Sequence, residues 1–310
     1  MKKFLTLALC LIVALFSVGC TFSTTVNLKM DTTQPWNAST NYEQCVYHVT
    51  KLDAKGVIKG EGKLILTATV DPTTYSASRT TVDTYFEFTD AITHQTDTIT
   101  SSSTFLTSSC VAISSEKTVQ LRSAPELNYR FVADYDKRTV EYYMKDSDKI
   151  TKTLSIPSSE KISFDNEALY YITRAFNPAE ESEGNFLLTN LYDCYQSGKV
   201  SSYSVYYRAS NAYITADDFV DSCKDESWDL LSKNAMIVDN KLECHHAKIN
   251  RNRSNMSGAP IEMWFTRSPF VGTSRNGRVM VKMKATTLTI PDASVDYTLE
   301  YDLINYSIKQ

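Results

Sequence analysis

Glu243-Cys244-His245-His246 is the densest run of metal-ligating side chains in the chain. On a strand, Cys244 and His246 share one face and His245 takes the other. A thiolate and an imidazole on one face are two of the four ligands of a tetrahedral zinc site. The remaining two would have to come from residues such as Cys223 or His48, and no Cys-x-x-Cys or His-x3-His spacing supplies them. A packed cysteine beside solvated histidines explains the same residues without metal. No metal and no cofactor is expected.

Two further patterns invite catalysis. Ser-Ser-Glu-Lys occurs at 114–117 and at 158–161, which sets Ser114 before Lys117 and Ser158 before Lys161. Ser-x-x-Lys is the nucleophile motif of penicillin-binding enzymes, which add Ser-Asp-Asn and Lys-Thr-Gly elements. Both companions are missing, so polar turns are the simpler account. A Cys-His nucleophile pair is the other option, but no Gly-rich elbow or oxyanion loop accompanies any cysteine. Asp217-Asp218 stand at an expected helix start, where acids favour the helix dipole. Lys248, Arg251 and Arg253 form a basic cluster that reads as a solvated loop able to meet anionic polymer or lipid headgroups.

Cys20 carries the clearest chemistry. Lys2 and Lys3 precede an apolar run from Phe4 to Phe16, the charge and length of an export signal's first two regions. The run falls short of the roughly 20 residues that span a bilayer. Ser17-Val18-Gly19-Cys20 follows and resembles the lipobox of bacterial lipoproteins, although Ser17 replaces the usual aliphatic residue. That resemblance implies diacylglycerol on the Cys20 sulfur and cleavage just before it, with two acyl chains enough to anchor stably. Ordinary secretion with Cys20 as a bystander is the alternative. The expected organisation is a signal peptide at 1–19, a Thr/Ser/Asn-rich tether at 20–42 and a single β-rich domain at 43–310.

The elements behind these residues are mostly strands. Cys45, Tyr47 and Val49 alternate with polar neighbours, as do Leu64, Leu66, Ala68 and Val70, and Val82, Thr84, Phe86 and Phe88. Period-two patterning marks half-buried antiparallel strands. The clearest helix is expected at about 166–176, with Asp165 as N-cap and Phe164 and Leu169 as a hydrophobic staple, ending before Pro178. A second is expected from Ala216 into the Trp228 region, opened by a capping-box variant of Thr215 and Asp218. The fold class is therefore mainly β within α+β: one large curved antiparallel sheet or half-barrel with one or two packed helices.

Loss of Lys2 and Lys3 with the signal takes the formal charge from −4 to −6, so no basic surplus exists to neutralise phosphates and nucleic acid is not an expected partner. Cys45, Cys110, Cys194, Cys223 and Cys244 remain for the folded body, an odd number whose pairing the spacings leave open. Tyrosine is abundant: the pairs Tyr142-Tyr143 and Tyr206-Tyr207 would place one ring on each side of a strand, with Tyr203, Tyr297 and Tyr301 on neighbouring strands and Tyr170 and Tyr171 on the expected helix. Such rings either line a groove for glycan, peptide or lipid, or suit a sheet with one wet face.

The order of segments carries a second resemblance. "VYHVTKLDAKGVIKGEGKLILTATV" opens the body, "YRFVADYDKRTVEYYMK" is a mid-chain hairpin, "DNEALYYITRAF" an Asp-led helix, and "PIEMWFTRS", "RVMVKMKATTL" and "VDYTLEYDL" close it. Over residues 43 to 305 this resembles an uncharacterised family of exported bacterial proteins with a domain of unknown function, which look like half-closed β-barrels related to lipoprotein carriers. The family's usual Pro after the Trp strand is absent, and "RSPFVGTSRNG" is an insert. The resemblance implies a scaffold able to hold an apolar ligand and carries over no catalytic residue. The expected protein is a cell-envelope lipoprotein on the extracytoplasmic face of the membrane. Its expected role is non-catalytic binding of a lipid-like or glycan ligand or an envelope partner. An envelope hydrolase with an unrecognised site and a purely structural surface protein are the alternatives.

Overall fold

The computed structural model describes residues 42–71, 78–107, 109–122, 124–144, 149–156, 163–179, 181–188, 201–251, 261–270, 278–286 and 297–309. Its strands are β1 (Tyr42–Leu52), β2 (Ile58–Asp71), β3 (Arg79–Asp90), β4 (Thr96–Leu106), β5 (Ala112–Gln120), β6 (Tyr129–Asp134), β7 (Thr139–Met144) and β8 (Ile150–Ser155). They continue as β9 (Ser163–Asp165), β10 (Ser182–Leu188), β11 (Ser201–Ile214), β12 (Ile237–Val238), β13 (Lys241–Arg251), β14 (Ile261–Thr266), β15 (Met280–Thr286) and β16 (Thr298–Lys309). Helix α1 (Leu169–Ile172) is flanked by 3-10 turns at Asn166–Ala168 and Thr173–Ala175, and α2 is Lys224–Lys233.

All the strands join one open sheet in the order β8-β7-β6-β5-β4-β3-β2-β1-β16-β15-β14-β13-β11-β10-β9, with the short β12 also paired to β13. Every described pairing is antiparallel except β9 with β10. The two edges, β8 and β9, are consecutive in sequence, so the chain steps from one edge of the sheet to the other. Pairing of β1 with β16 joins the first and last described strands at the middle of the sheet.

Alternation places the core as the sequence predicts. Cys45, Tyr47 and Val49 are buried, as are Leu64, Leu66, Ala68 and Val70, and Val82, Thr84, Phe86 and Phe88. Cross-strand register carries the same face through Val49, Tyr301, Met283, Met263 and Ala247, all fully buried. At Gly62 a side chain would collide with the Glu87 carbonyl oxygen at 2.0 Å, so β2 can coil this closely onto β3 only without a Cβ there.

The helix expected at 166–176 forms there, but as a single α turn between two 3-10 turns. It touches β1 (Arg174 to Glu43), β4 (Tyr171 to Phe105), β11 (Phe176 to Tyr207), β14 (Thr173 to Met263) and β16 (Tyr170 to Tyr301). Strands this far apart in the order reach one short helix only if the sheet wraps around it. The α1 face is therefore the concave one, and every residue from Glu167 to Phe176 is buried.

The second helix differs from expectation. Asp218 accepts hydrogen bonds from the Thr215 amide and hydroxyl at 2.7 and 3.0 Å, as its capping role requires, but they close only a 3-10 turn at Ala216–Asp218. The chain then extends at Phe219 and begins α2 at Lys224. The physical reason lies beneath it: the Val220 amide donates to Asp302 of β16 at 3.0 Å. That bond takes the amide out of any helix running on from Ala216. This segment covers the convex face, opposite α1.

Candidate functional site

Where a ligand would enter a half-barrel, the concave face, the chain puts its own residues. Phe105 and Tyr171 rings lie 6.3 Å apart, Tyr170 and Tyr301 6.0 Å, and Phe176 meets Tyr207 edge-on at 5.1 Å, within the range of favourable aromatic pairs. Two buried ion pairs tie the helical segment to β1 and to β5, four strands apart in the sheet. Arg174 Nη1 donates to both carboxylate oxygens of Glu43, each at 2.9 Å, and Lys117 pairs with Glu167. Burial, the largest single influence, would loosen the proton on Arg174, but the Glu43 carboxylate together with Tyr171, Tyr306 and Cys45 outweighs it and the guanidinium is held more firmly charged than usual. Of the tyrosine pairs, Tyr142, Tyr170, Tyr171 and Tyr207 are buried, with Tyr301, so these rings fill the core instead of lining an open groove.

The predicted chemical residues are dispersed. Cys244 and His246 share a face, as expected, but Cys244 is fully buried and its thiol is pushed up to about 12 by burial. His246 bonds Glu262 at 2.8 Å and stacks on Trp264 at 4.5 Å. His245 points the other way, and burial followed by the Arg267 cation lowers its proton affinity. Among the described residues no group of three or more His, Cys, Asp or Glu is placed to hold a metal ion. Cys45, Cys110 and Cys223 are also free and buried, each raised to about 12 with burial the largest cause. At neutral pH such thiols stay protonated, so none is a ready nucleophile.

Ser114 and Lys117 fall on β5, a strand, where positions three apart face opposite ways. Ser114 is exposed while Lys117 is buried against Glu167. Ser158 and Lys161 lie outside the described residues, as do Cys20, Cys194 and Arg253. Lys248 is exposed beside Glu262 at 3.6 Å, and Arg251 ends β13. Asp217 pairs with Lys224. A contact that sequence reading did not anticipate joins Ser222 to His48 at 3.2 Å and His48 to Glu61 at 3.2 Å. Both bonds use the same nitrogen, Nε2. A Ser-His-acid triad needs the carboxylate on the opposite ring nitrogen from the serine, so this is not one.

Two features carry more weight. The first is an ion cluster on the convex face. Lys282, almost fully buried, bonds Glu300 and Asp302, each at 2.7 Å, beneath the Phe219 ring. Asp302 also accepts from the Cys223 thiol at 3.5 Å. This cluster locks the α2 segment to the sheet. Its signal in the sequence is slight, since Lys282 sits between Val281 and Met283 in a run buried on both faces. The second feature is a groove of about 650 Å³ between the end of α2, the β12–β13 turn and residues 268–269. Tyr213, Met236, Val238 and Pro269 supply apolar walls, with Lys241 and Glu243 among the polar ones. Tyr213 and Val238 are 64% and 69% exposed, large values for such side chains. The Lys241 ammonium lies 5.9 Å from the Tyr213 ring centre. Its lining is mixed, with Asn234, Asp239 and Ser268 beside the apolar walls and the charges of Lys241 and Glu243.

Fold and site together define a class: a β-barrel-like domain whose hollow is occupied by its own helical segment, with no assembled catalytic group among the described residues. A solved structure of the same kind is the beta-barrel-like protein of domain of unknown function DUF1849 from Brucella abortus. The similarity has a TM-score of 0.51 at 11% identity and covers 87% of this chain and 99% of that one. At that identity the likeness is one of fold. No protein-family model matches the sequence, and no curated protein matches it at a significant level.

Proposed function

We propose that this protein is a bacterial cell-envelope lipoprotein, held on the extracytoplasmic face of the membrane by lipid on Cys20, and that its β-rich body binds an apolar or amphipathic ligand without catalysis. The groove of Tyr213, Val238 and Lys241 carries the binding half of this reading: it leaves an aromatic ring and an aliphatic chain in water beside a cation. The protonated, buried thiols and the opposed faces of Ser114 and Lys117 support the absence of nucleophilic chemistry. The anchoring half rests on Lys2, Lys3, the apolar run and Gly19-Cys20.

Each half has its own experiment. Cys20→Ser is expected to move the protein from the membrane fraction to the soluble extract after cell fractionation; a variant that still sediments with membranes refutes lipid at that sulfur. Native mass spectrometry of gently extracted protein is expected to show, above the mass of the lipid-modified chain, a non-covalent lipid-like mass that Tyr213→Ala largely removes. The mass of the lipid-modified chain alone in every preparation counts against a ligand, and an adduct unchanged in Tyr213→Ala counts against the groove.

A further inference from the structure

The groove beside α2 is built on paired strands, and its side chains share one face. On β13, Lys241 and Glu243 stand two positions apart and so point the same way. Register sets Tyr213 of β11 opposite Glu243 and Val238 of β12 opposite Lys241, on that same face. Leu242 pairs with both Ile214 and Ile237, so β11 and β12 lie on opposite sides of β13. Two charges therefore form the middle of the floor, with an aromatic ring on one flank and an aliphatic side chain on the other. The β12–β13 turn is a tight one, with Asp239 and Asn240 both left-handed at φ 50° and 58°. Tyr213, Val238, Asp239, Lys241 and Glu243 are all exposed.

The chemistry of this face narrows the ligand. Lys241 stands among the acids Asp239 and Glu243, and Arg267 pairs with Glu243. An anionic ligand would meet two carboxylates and a cationic one two cations, so the charges favour an uncharged molecule. A bare acyl chain would strip water from Asn234, Asp239, Lys241 and Ser268 and return no hydrogen bond. A peptide adding as a strand finds no edge, because β13 is paired on both sides. What fits is an uncharged molecule rich in hydroxyls and apolar on one side. A sugar ring is such a molecule. Its hydroxyls can donate to carboxylates and accept from the Lys241 ammonium, which lies 5.9 Å from the Tyr213 ring centre. Asn234 Nδ2 donates to the Leu230 carbonyl at 2.8 Å, which leaves its Oδ1 to accept. The C–H side of a sugar suits the negative face of the exposed Tyr213 ring.

We infer that the groove holds an uncharged sugar ring, stacked on Tyr213 and hydrogen-bonded by Asp239, Glu243, Asn234 and Lys241. The inference rests on the proposed binding role of the groove and names its ligand. A sugar that carries an alkyl chain is amphipathic, and Val238, Met236 and Pro269 give such a chain a wall. The head of a glycolipid and a free glycan present the same ring, and the test separates them.

The test uses full-length protein carrying Cys20→Ser, prepared without detergent, in calorimetric titrations. The probes, kept below their micelle concentrations, are decyl glucoside, decyl maltoside, maltose and decylphosphocholine. Each decyl glycoside is expected to bind about tenfold or more tighter than decylphosphocholine, which has the same chain and no sugar. Tyr213→Ala is expected to weaken glycoside binding about tenfold or more, while Tyr213→Phe, which keeps the ring, retains it. Unaltered thermal unfolding of both variants shows that their folds survive. Maltose binding as tightly as decyl maltoside assigns the site to free glycan; a tighter decyl maltoside assigns it to a glycolipid head. The inference is overturned if neither glycoside binds, if decylphosphocholine binds as tightly as they do, if Tyr213→Ala binds like the parent, or if Tyr213→Phe is as weak as Tyr213→Ala. Equal binding of glycosides and decylphosphocholine, lost together in Tyr213→Ala, would leave the binding role of the groove standing and remove the sugar alone.

Discussion

Lys282→Met is expected to destabilise the protein by about 3–5 kcal/mol at neutral pH, measured by urea unfolding. Lys282 is the cation between Glu300 and Asp302, and both carboxylates are buried with it. Removing one member of a buried ion group leaves the others uncompensated in a low-dielectric setting, and that penalty is what dominates. Lys284 is the internal control. It also reaches Glu300, at 3.0 Å, but its side chain is 42% exposed. Lys284→Met is expected to cost about 1 kcal/mol or less, as for exposed pairs generally. Equal losses from the two substitutions would show that burial does not set the strength of this cluster.

The same variant has a defined pH signature. Burial alone would raise the Glu300 pKa, but Lys282 and Lys284 outweigh it and hold it below the ordinary carboxylate value. A depressed carboxylate contributes stability above its unfolded pKa and loses it as pH falls through the folded pKa. The parent therefore weakens on the acid side. In Lys282→Met the cation is gone, burial wins and the Glu300 pKa rises, so acidification neutralises a strained charge. The stability gap between parent and variant is expected to narrow as pH falls from neutrality toward the ordinary carboxylate pKa. A gap that stays constant over that range would assign the loss to packing around the Lys282 stem instead of to charge.

How much of this was readable beforehand depends on distance along the chain. Strand faces were legible because alternation is local: Cys45, Tyr47 and Val49 announce their own burial. The same parity marks Glu43 as inward, and Lys117 is in phase with Val119, yet nothing nearby names their partners. Glu43 meets Arg174, 131 positions away, and only the curved course of the sheet brings them together. The helical segment was legible in place, between Asp165 and Pro178, but its full burial needed another clue. From Ala168 to Phe176 it is apolar nearly all round, the pattern of an element enclosed by others. The start of α2 was misplaced because capping chemistry at Thr215 and Asp218 is local, whereas the bond from Val220 to Asp302 that ends the turn is not. Ser114 to Lys117 is not the polar turn expected: it lies within β5, a strand, which sends the two side chains to opposite faces.

Arg174→Met tests the occupied hollow itself. Arg174 lies between Glu43 and the Tyr171 ring, whose centre is 5.1 Å from the guanidinium carbon. Methionine fills similar volume but leaves the Glu43 carboxylate buried alone, and about 3–5 kcal/mol of stability is expected to be lost. The location of the loss can be read from thiols. Cys45 follows Glu43 on the same face of β1, buried beside this ion pair, whereas Cys223 is buried on the convex face against Asp302. If the helical segment leaves the hollow as a unit, a thiol reagent followed by peptide mapping is expected to label Cys45 roughly a hundredfold faster than in the parent, with Cys223 unchanged. Parallel acceleration at both cysteines would mean that the sheet opens as a whole. Unchanged labelling and stability would mean that Glu43 and Arg174 do not hold the segment in place. Local release would give the hollow a second occupancy, because the aromatic surface now covered by Tyr170, Tyr171 and Phe176 would become a site that an apolar ligand can fill only by competing with the protein's own chain.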